Sequence, residues 1–244
     1  MKIIIIDDEP LARTVVKEYL QNYSDAEIVQ ECNDGFEGLK AIQQHNPDLI
    51  FLDIQMPKIN GFEMLELIEN IPAVIFTTAF EEYAIKAFET HAVDYLLKPF
   101  SKERFEKAMQ KFLQNKKNAV EKTQALVETA AHSFAKSNRI VLKDGGKIKI
   151  IPTNQIQYLE AADDYVKIFT AEGSFLKKKT MQHFEETLDG QQFSRIHRSY
   201  IINTQLITRI DPYEKDGHLV LLTTGARLPL SKAGYLNLKE KLGI

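Results

Sequence analysis

The sequence predicts two domains: a (βα)5 doubly wound parallel-sheet α/β domain over residues 1–118, and a β-rich domain over 137–244, joined by a helical linker at 119–136. Three observations carry this division. In the first half, short β-branched runs alternate with segments of helical periodicity. After residue 137 the pattern changes to strands separated by tight glycine turns. Charge divides at the same place. Residues 1–118 hold 13 Lys and Arg against 20 Asp and Glu, a net of −7, whereas residues 137–244 hold 16 against 12, a net of +4. An acidic first half and a basic second half suit different partners, the basic one a polyanion.

The elements follow in order. Lys2–Asp7 is an Ile-rich run ending in acids and reads as a strand; Leu11, Val15, Tyr19 and Leu20 then recur on one helical face. Strands at Glu27–Cys32, Leu49–Ile54, Ala73–Thr78 and Asp94–Leu97 alternate with helices at Gly35–His45, Gly61–Glu69 and Glu81–His91. A last helix presents Phe105, Ala108, Met109, Phe112 and Leu113 at helical spacing. Short strands separated by helices indicate a parallel sheet covered on both faces.

The 119–136 segment has good helix formers and neither Gly nor Pro, so it extends the preceding helix or forms a helical linker. Beyond it, Arg139–Lys143 and Lys147–Ile151 flank Asp-Gly-Gly, a hairpin-turn composition. Tyr165–Thr170 and Phe175–Lys179 flank a second turn, and Leu219–Thr223 and Ala226–Leu230 a third. Helical signal is confined to Met181–Leu188 and Lys232–Leu242.

Composition narrows the class. Hydrophobic residues at 44% and charged residues at 27% are the balance of a soluble globular chain. The longest aliphatic run, Ile3–Ile6, falls far short of the ~20 apolar residues a membrane span needs, so no membrane partner is expected. Ile6 runs straight into Asp7, Asp8 and Glu9, which is no export signal. The single cysteine, Cys32, permits no internal disulfide, fits a reducing compartment and reads as core. A cytoplasmic protein is expected.

In an open parallel sheet, chemistry gathers at the carboxyl ends of the strands. Those ends carry Asp7-Asp8, Asp53, Thr77-Thr78 and Lys98-Pro99. Clustered carboxylates repel one another and suit a divalent cation; all-oxygen ligands point to Mg²⁺. A nearby lysine balances charge and pairs with a transferred phosphoryl group, leaving a carboxylate as nucleophile. Singly, each element has a plainer reading: Asp-Asp before Pro10 as a helix start, Asp53 as turn chemistry, Thr78 as a helix entry, Lys-Pro as a loop. Four in succession argue for a site.

Asp7-Asp8-Glu9-Pro10, Leu52-Asp53-Ile54-Gln55-Met56-Pro57, Gly61-Phe62-Glu63, Thr77-Thr78-Ala79 and Asp94-Tyr95-Leu96-Leu97-Lys98-Pro99-Phe100 resemble the receiver domains of two-component regulators. The resemblance implies that Asp53 is the phosphoacceptor. It implies that Asp8, Asp53 and the main-chain carbonyl of Gln55 bind Mg²⁺, Asp7 helping through water. Thr78 and Lys98 would hold phosphoryl oxygens, Tyr95 would be the aromatic switch, and the Lys98–Pro99 bond would be cis. A sensor histidine kinase would be the donor. Phosphorylation would shift the surface of residues 81–112 and favour a homodimer. An enzyme is not expected: haloacid-dehalogenase phosphatases place a second Asp two residues past the nucleophile, where this chain has Gln55.

In the second half, Phe193–Asn203 interleaves Arg195, His197 and Arg198 with Ile196, Tyr200, Ile201 and Ile202. By itself a basic turn on a β domain is more often a solvated face than a DNA contact. The stretch nevertheless resembles the signature of LytTR domains, as do Tyr158-Leu159-Glu160-Ala161, Tyr165-Val166 and Leu228-Pro229-Leu230-Ser231-Lys232. This implies a β-rich fold that presents loops to the major grooves of double-stranded DNA at promoter repeats or half-sites, and so regulates transcription. Arg198 and Lys232 are the foremost contact candidates, with the loop around Asp164-Tyr165 a third and His197 either a contact or an internal brace. The alternative output is a protein partner in place of DNA. Lys177-Lys178-Lys179 reads as a phosphate track or a solvated strand edge.

Overall fold

The computed structural model describes residues 1–79, 92–114, 138–213 and 217–243. The helix expected at Glu81–His91 and the linker at 119–136 lie outside the described residues. The chain forms two compact units that divide between Ser133 and Phe134.

In the first unit, β1 (Lys2–Ile6), β2 (Glu27–Cys32), β3 (Leu49–Asp53), β4 (Ala73–Thr78) and β5 (Asp94–Leu97) form one parallel sheet ordered β2-β1-β3-β4-β5. The helices are α1 (Pro10–Leu20), α2 (Gly35–His45), α3 (Gly61–Leu65) and α4 (Lys102–Gln114). Strand alternation sends Ile3, Ile5, Phe51 and Ile75 to one face, against Val16 and Leu20 of α1 and Phe105, Met109 and Phe112 of α4. Ile6 points the other way: a Cβ on Gly38 of α2 would lie 2.8 Å from it and 3.0 Å from Met64 of α3. The sheet is therefore wound on both faces, as predicted. Cys32 is fully buried, and burial pushes its thiol up to about 12.

Three details differ from the sequence reading. Leu113, expected on the apolar stripe of α4, is 50% exposed, because that stripe runs through Phe105, Ala108, Met109 and Phe112. Leu11 is 81% exposed, because the stripe of α1 that meets the sheet runs through Val16 and Leu20. The helix expected over Gly61–Glu69 closes at Leu65. Leu67 and Ile68 instead donate to the carbonyls of Met64 and Leu65, the tighter i→i−3 winding common at helix ends.

The second unit is antiparallel. Its hairpin β6 (Arg139–Asp144) and β7 (Lys147–Pro152) turns through Gly145 and Gly146, both at positive φ, as a two-residue turn of this hand requires. Then come β8 (Ile156–Ala162), β9 (Tyr165–Thr170), β10 (Gly173–Lys177), the short helix α5 (Met181–Thr187), β11 (Phe193–His197) and β12 (Tyr200–Asn203). These strands form a sheet ordered β10-β9-β8-β12-β11. A three-stranded sheet of β13 (Ile207–Tyr213), β14 (Gly217–Leu222) and β15 (Arg227–Leu230) leads into α6 (Lys232–Leu242). The central sheet buries both faces. Ile201 joins Leu159, Ile168 and Phe184 on one side, while its neighbour Ile202 joins Ile196, Val220, Leu228 and Leu238 on the other.

Candidate functional site

The winding of the parallel sheet reverses between β1 and β3, the place where such sheets open a crevice beyond their carboxyl ends. Asp7 and Asp8 follow β1, and Asp53 ends β3. One carboxylate oxygen from each lies within 4.8 Å of the others. Asp7 and Asp53 are buried and Asp8 is exposed. Lys98, just after β5, reaches into the cluster with its Nζ 2.8 Å from Asp7 Oδ2 and 3.2 Å from Asp53 Oδ2; Glu9 Oε2 is also at 3.2 Å. The Lys98–Pro99 peptide is cis.

Burial pushes the Asp53 carboxyl up to about 6, and the negative charge of Asp7 adds to this while Lys98 opposes it. Asp7 is raised as well, again by burial first. Burial alone would depress the Lys98 ammonium, yet its contacts with Asp7 and Asp53 more than offset this and raise it. One ammonium thus faces the three carboxylates of Asp7, Glu9 and Asp53, and burial keeps the Asp7 and Asp53 carboxyls above their ordinary value despite it. The donor set suits a further hard cation, and a main-chain carbonyl at Gln55 would complete an oxygen-only shell.

The backbone beneath is held at several points. Gln55 N–H donates to Asp53 Oδ1 at 3.3 Å, and Glu9 N–H to Asp7 Oδ1 at 3.0 Å. Arg13 Nη1 donates to the Asp7 carbonyl at 2.7 Å, a support the sequence reading did not single out. Gly61 is required where it stands, since a Cβ there would meet the Asp53 carbonyl oxygen at 2.4 Å. Thr78 is fully buried at the end of β4, and its carbonyl accepts from Lys98 N–H at 2.7 Å. Tyr95 is buried, and its carbonyl accepts a short hydrogen bond from Arg104.

In the second unit the register gathers the basic candidates at one end of the central sheet. The β8–β9 turn, carrying Asp163 at positive φ and exposed Tyr165, lies at the same end as the β11–β12 turn with Arg198. Ala161 N–H donates to the Ser199 carbonyl at 2.9 Å and ties the two turns together. A bulge between Arg195 and His197 takes Ile196 out of the ladder. The Ile196 carbonyl instead accepts from Ser231, which brings Lys232 at the start of α6 beside the turn. Arg198, Tyr165 and Lys232 are exposed. His197 is half-buried, and its Nδ1 accepts from Ser199 N–H at 3.2 Å. Lys177 ends β10 with its ammonium on the Val141 carbonyl at 2.6 Å. Arg195, interleaved in the same stretch as His197 and Arg198, is engaged with Glu185.

An acidic pocket with one lysine at the switch point of a doubly wound sheet, followed by a β-rich unit that brings the Arg198 turn and the start of α6 to one sheet end, is the arrangement of an input domain coupled to an output domain. Comparison with known proteins gives the family. The response regulator receiver domain matches residues 3–110 and the LytTr DNA-binding domain residues 146–243. The chain is 32% identical over 247 residues to the sensory transduction protein LytT of Bacillus anthracis and 34% identical over 247 residues to the transcriptional regulatory protein BtsR of Escherichia coli, covering all of each chain. A solved response regulatory domain, of protein mrkE from Klebsiella pneumoniae, is 36% identical over 48% of this chain and 99% of its own, at a TM-score of 0.44. A solved LytTr DNA-binding domain from Bacillus cereus is 29% identical over 44% of this chain and 99% of its own, at a TM-score of 0.42. The chain belongs to the response regulators that join a receiver domain to a LytTR DNA-binding domain, and its domain set is that of a transcriptional regulator.

Proposed function

We propose that Asp53 accepts a phosphoryl group from a sensor histidine kinase, and that this controls homodimerisation and binding of the second unit to double-stranded DNA at paired promoter sites. The observation that carries the reading is the position of Lys98, within 3.2 Å of both Asp7 and Asp53 at the switch point of the sheet. An Asp53 oxygen attacks phosphorus as the bond to the donor nitrogen breaks, and the nitrogen keeps the electron pair. Lys98 then pairs with a phosphoryl oxygen, and Thr78 turns its hydroxyl to another. Mg²⁺, held by Asp8, Asp53 and the Gln55 carbonyl with Asp7 acting through water, would neutralise the oxygens of the transferring group. Tyr95 packs into the space Thr78 leaves, and the face of residues 81–112 changes; residues 81–91 of that face lie outside the described residues.

In the same reading, residues 1–118 form the phosphoacceptor domain, 119–136 the linker and 137–244 the DNA reader. Arg198, Lys232 and Tyr165 face the duplex, while His197 braces the turn. The gathering of these residues at one sheet end supports this assignment. Among the described residues no helix is long and apolar enough to cross a membrane, which accords with action in the cytoplasm.

The test is intact mass after incubation with acetyl phosphate and Mg²⁺. Wild type should gain one labile phosphoryl group and Asp53→Asn none. An adduct on both would move the acceptor elsewhere.

A further inference from the structure

Arg195 lies inside the Phe193–Asn203 stretch and looks, by charge, like a second DNA contact. Its guanidinium is already committed. Nη1 lies 2.6 Å from Glu185 Oε2 of α5, and Nη2 donates to the main-chain carbonyl of Arg198 at 3.1 Å. One rigid planar fork therefore spans from a helix to the tip of the β11–β12 turn, and its plane leaves the turn little freedom. The opposite side of the tip is tied as well, through Ala161 N–H to the Ser199 carbonyl and Ser199 N–H to His197 Nδ1. Arg198 makes no side-chain hydrogen bond or ion pair among the described residues and is exposed. The turn is tied at Arg198 and at Ser199, and its cation is uncommitted.

We propose that Arg195 is a positioning residue for DNA binding: with Glu185 it holds the turn so that Arg198 meets the duplex, and it touches no nucleic acid itself. This rests on the DNA-binding reading of Arg198. Glu185 makes the idea sharp, because a carboxylate near a DNA surface should only repel phosphate. If charge alone mattered, removing it would tighten binding. If the fork positions Arg198, removing it weakens binding. The Arg195–Glu185 pair is partly exposed, with side chains 29% and 47% accessible, so it adds little to global stability and its variants should fold.

The experiment measures affinity of the full chain for a duplex that wild type enriches from a random-sequence pool, across a series of salt concentrations. Each phosphate contact contributes about −0.9 to the slope of log K against log salt. Arg198→Ala should weaken binding and flatten the slope by about one. Arg195→Ala should weaken binding about ten-fold, flatten the slope by no more than the single Arg198 contact does, and cost almost nothing further in the Arg198→Ala background. Glu185→Gln should weaken it in the same direction despite losing a negative charge, and adding it to Arg195→Ala should cost nothing more. Arg195→Lys keeps the charge but lacks the fork, so it should recover only part of the loss. A loss from Arg195→Ala that adds in full to that of Arg198→Ala, full recovery by Arg195→Lys, or tighter binding by Glu185→Gln would overturn the proposal. Wild type that enriches no duplex in a salt-sensitive way would overturn the DNA-binding reading, and this inference with it.

Discussion

Ser231 donates twice to the carbonyl of Ile196, from its N–H at 2.9 Å and from its hydroxyl at 3.0 Å. The same Oγ accepts from Gly234 N–H at 3.0 Å, so one side chain both caps α6 and docks it on the bulge of β11. Lys232 and Arg198 stand far apart in sequence; this joint ties the residue before Lys232 to the strand that leads into the Arg198 turn.

Gly234 tests the joint. A Cβ there would sit 2.1 Å from the Ile196 oxygen and 2.6 Å from its carbonyl carbon, main-chain atoms that cannot swing aside. Gly234→Ala should therefore lift α6 from the turn and destabilise the second unit by about 1–3 kcal/mol. DNA affinity should fall with it. A Cβ on Gly190 meets nothing within 4 Å, so Gly190→Ala is the matched control. Urea denaturation of both variants decides; equal midpoints would show that the close approach is not felt.

Gly61 plays the corresponding part under Asp53. Its Cβ would press on the Asp53 carbonyl oxygen at 2.4 Å and on Ile54 Cα at 3.2 Å. Gly61→Ala should shift the acceptor carboxylate and slow phosphorylation by acetyl phosphate about ten-fold or more, since small displacements of a reacting group cost steeply. An unchanged rate of mass gain would mean the loop absorbs the methyl without moving Asp53.

The receiver site is legible in the sequence for a simple reason. Parallel strands that end in acids, hydroxyls or lysine place those groups on one edge whatever the intervening helices do, so Asp7, Asp8, Asp53, Thr78 and Lys98 need no knowledge of side-chain contacts. Hairpins are legible where glycines mark them, as at Gly145-Gly146. What stays hidden depends on partners distant in sequence. Arg13 reads as an ordinary helix residue until its guanidinium is found on the Asp7 carbonyl. Arg195 reads as a projecting cation because Glu185 belongs to another element, and no residue pattern announces the bulge at Ile196. Strand β13 contains Pro212, which argues against a central strand; it is in fact at the sheet edge, where a missing N–H costs least.

Asp94 supplies a pH test. Its side chain is buried at the start of β5, and Arg104 holds both its oxygens at 2.8 Å, with Lys111 at 3.1 Å. Burial alone would raise this carboxyl, but the bonds to Arg104, Tyr95 N–H and Lys111 outweigh it and hold it below its usual 3.8. A depressed carboxyl stabilises the fold above the unfolded value and loses that stability as pH falls through the folded one. Arg104→Ala should therefore cost about 2–3 kcal/mol at neutral pH, and progressively less below about pH 4 as Asp94 takes up its proton. Hydrogen exchange of the β5 and α4 amides measures it; a deficit independent of pH would assign the loss to packing.

Asp53 is shifted the opposite way, and the sign of its effect is opposite too. Its carboxyl, raised to about 6 chiefly by burial, opposes folding only when ionised; the cost is absent below pH 3.8 and complete above about 6. A bound divalent cation stabilises that same ionised form. Mg²⁺ and the proton should therefore compete: below pH 6 each ion bound must expel a proton, and the apparent dissociation constant should rise about ten-fold per pH unit. Above pH 7 it should level off. Asp53→Asn removes the competing proton together with one ligand, so its weaker affinity should be nearly flat across the same range apart from the contribution of Asp7. Titration calorimetry with MgCl₂ at pH 5 and pH 8 tells these cases apart. Equal affinities at the two pH values in wild type would mean that Asp53 is ionised throughout, and that Lys98 already offsets its burial without the metal.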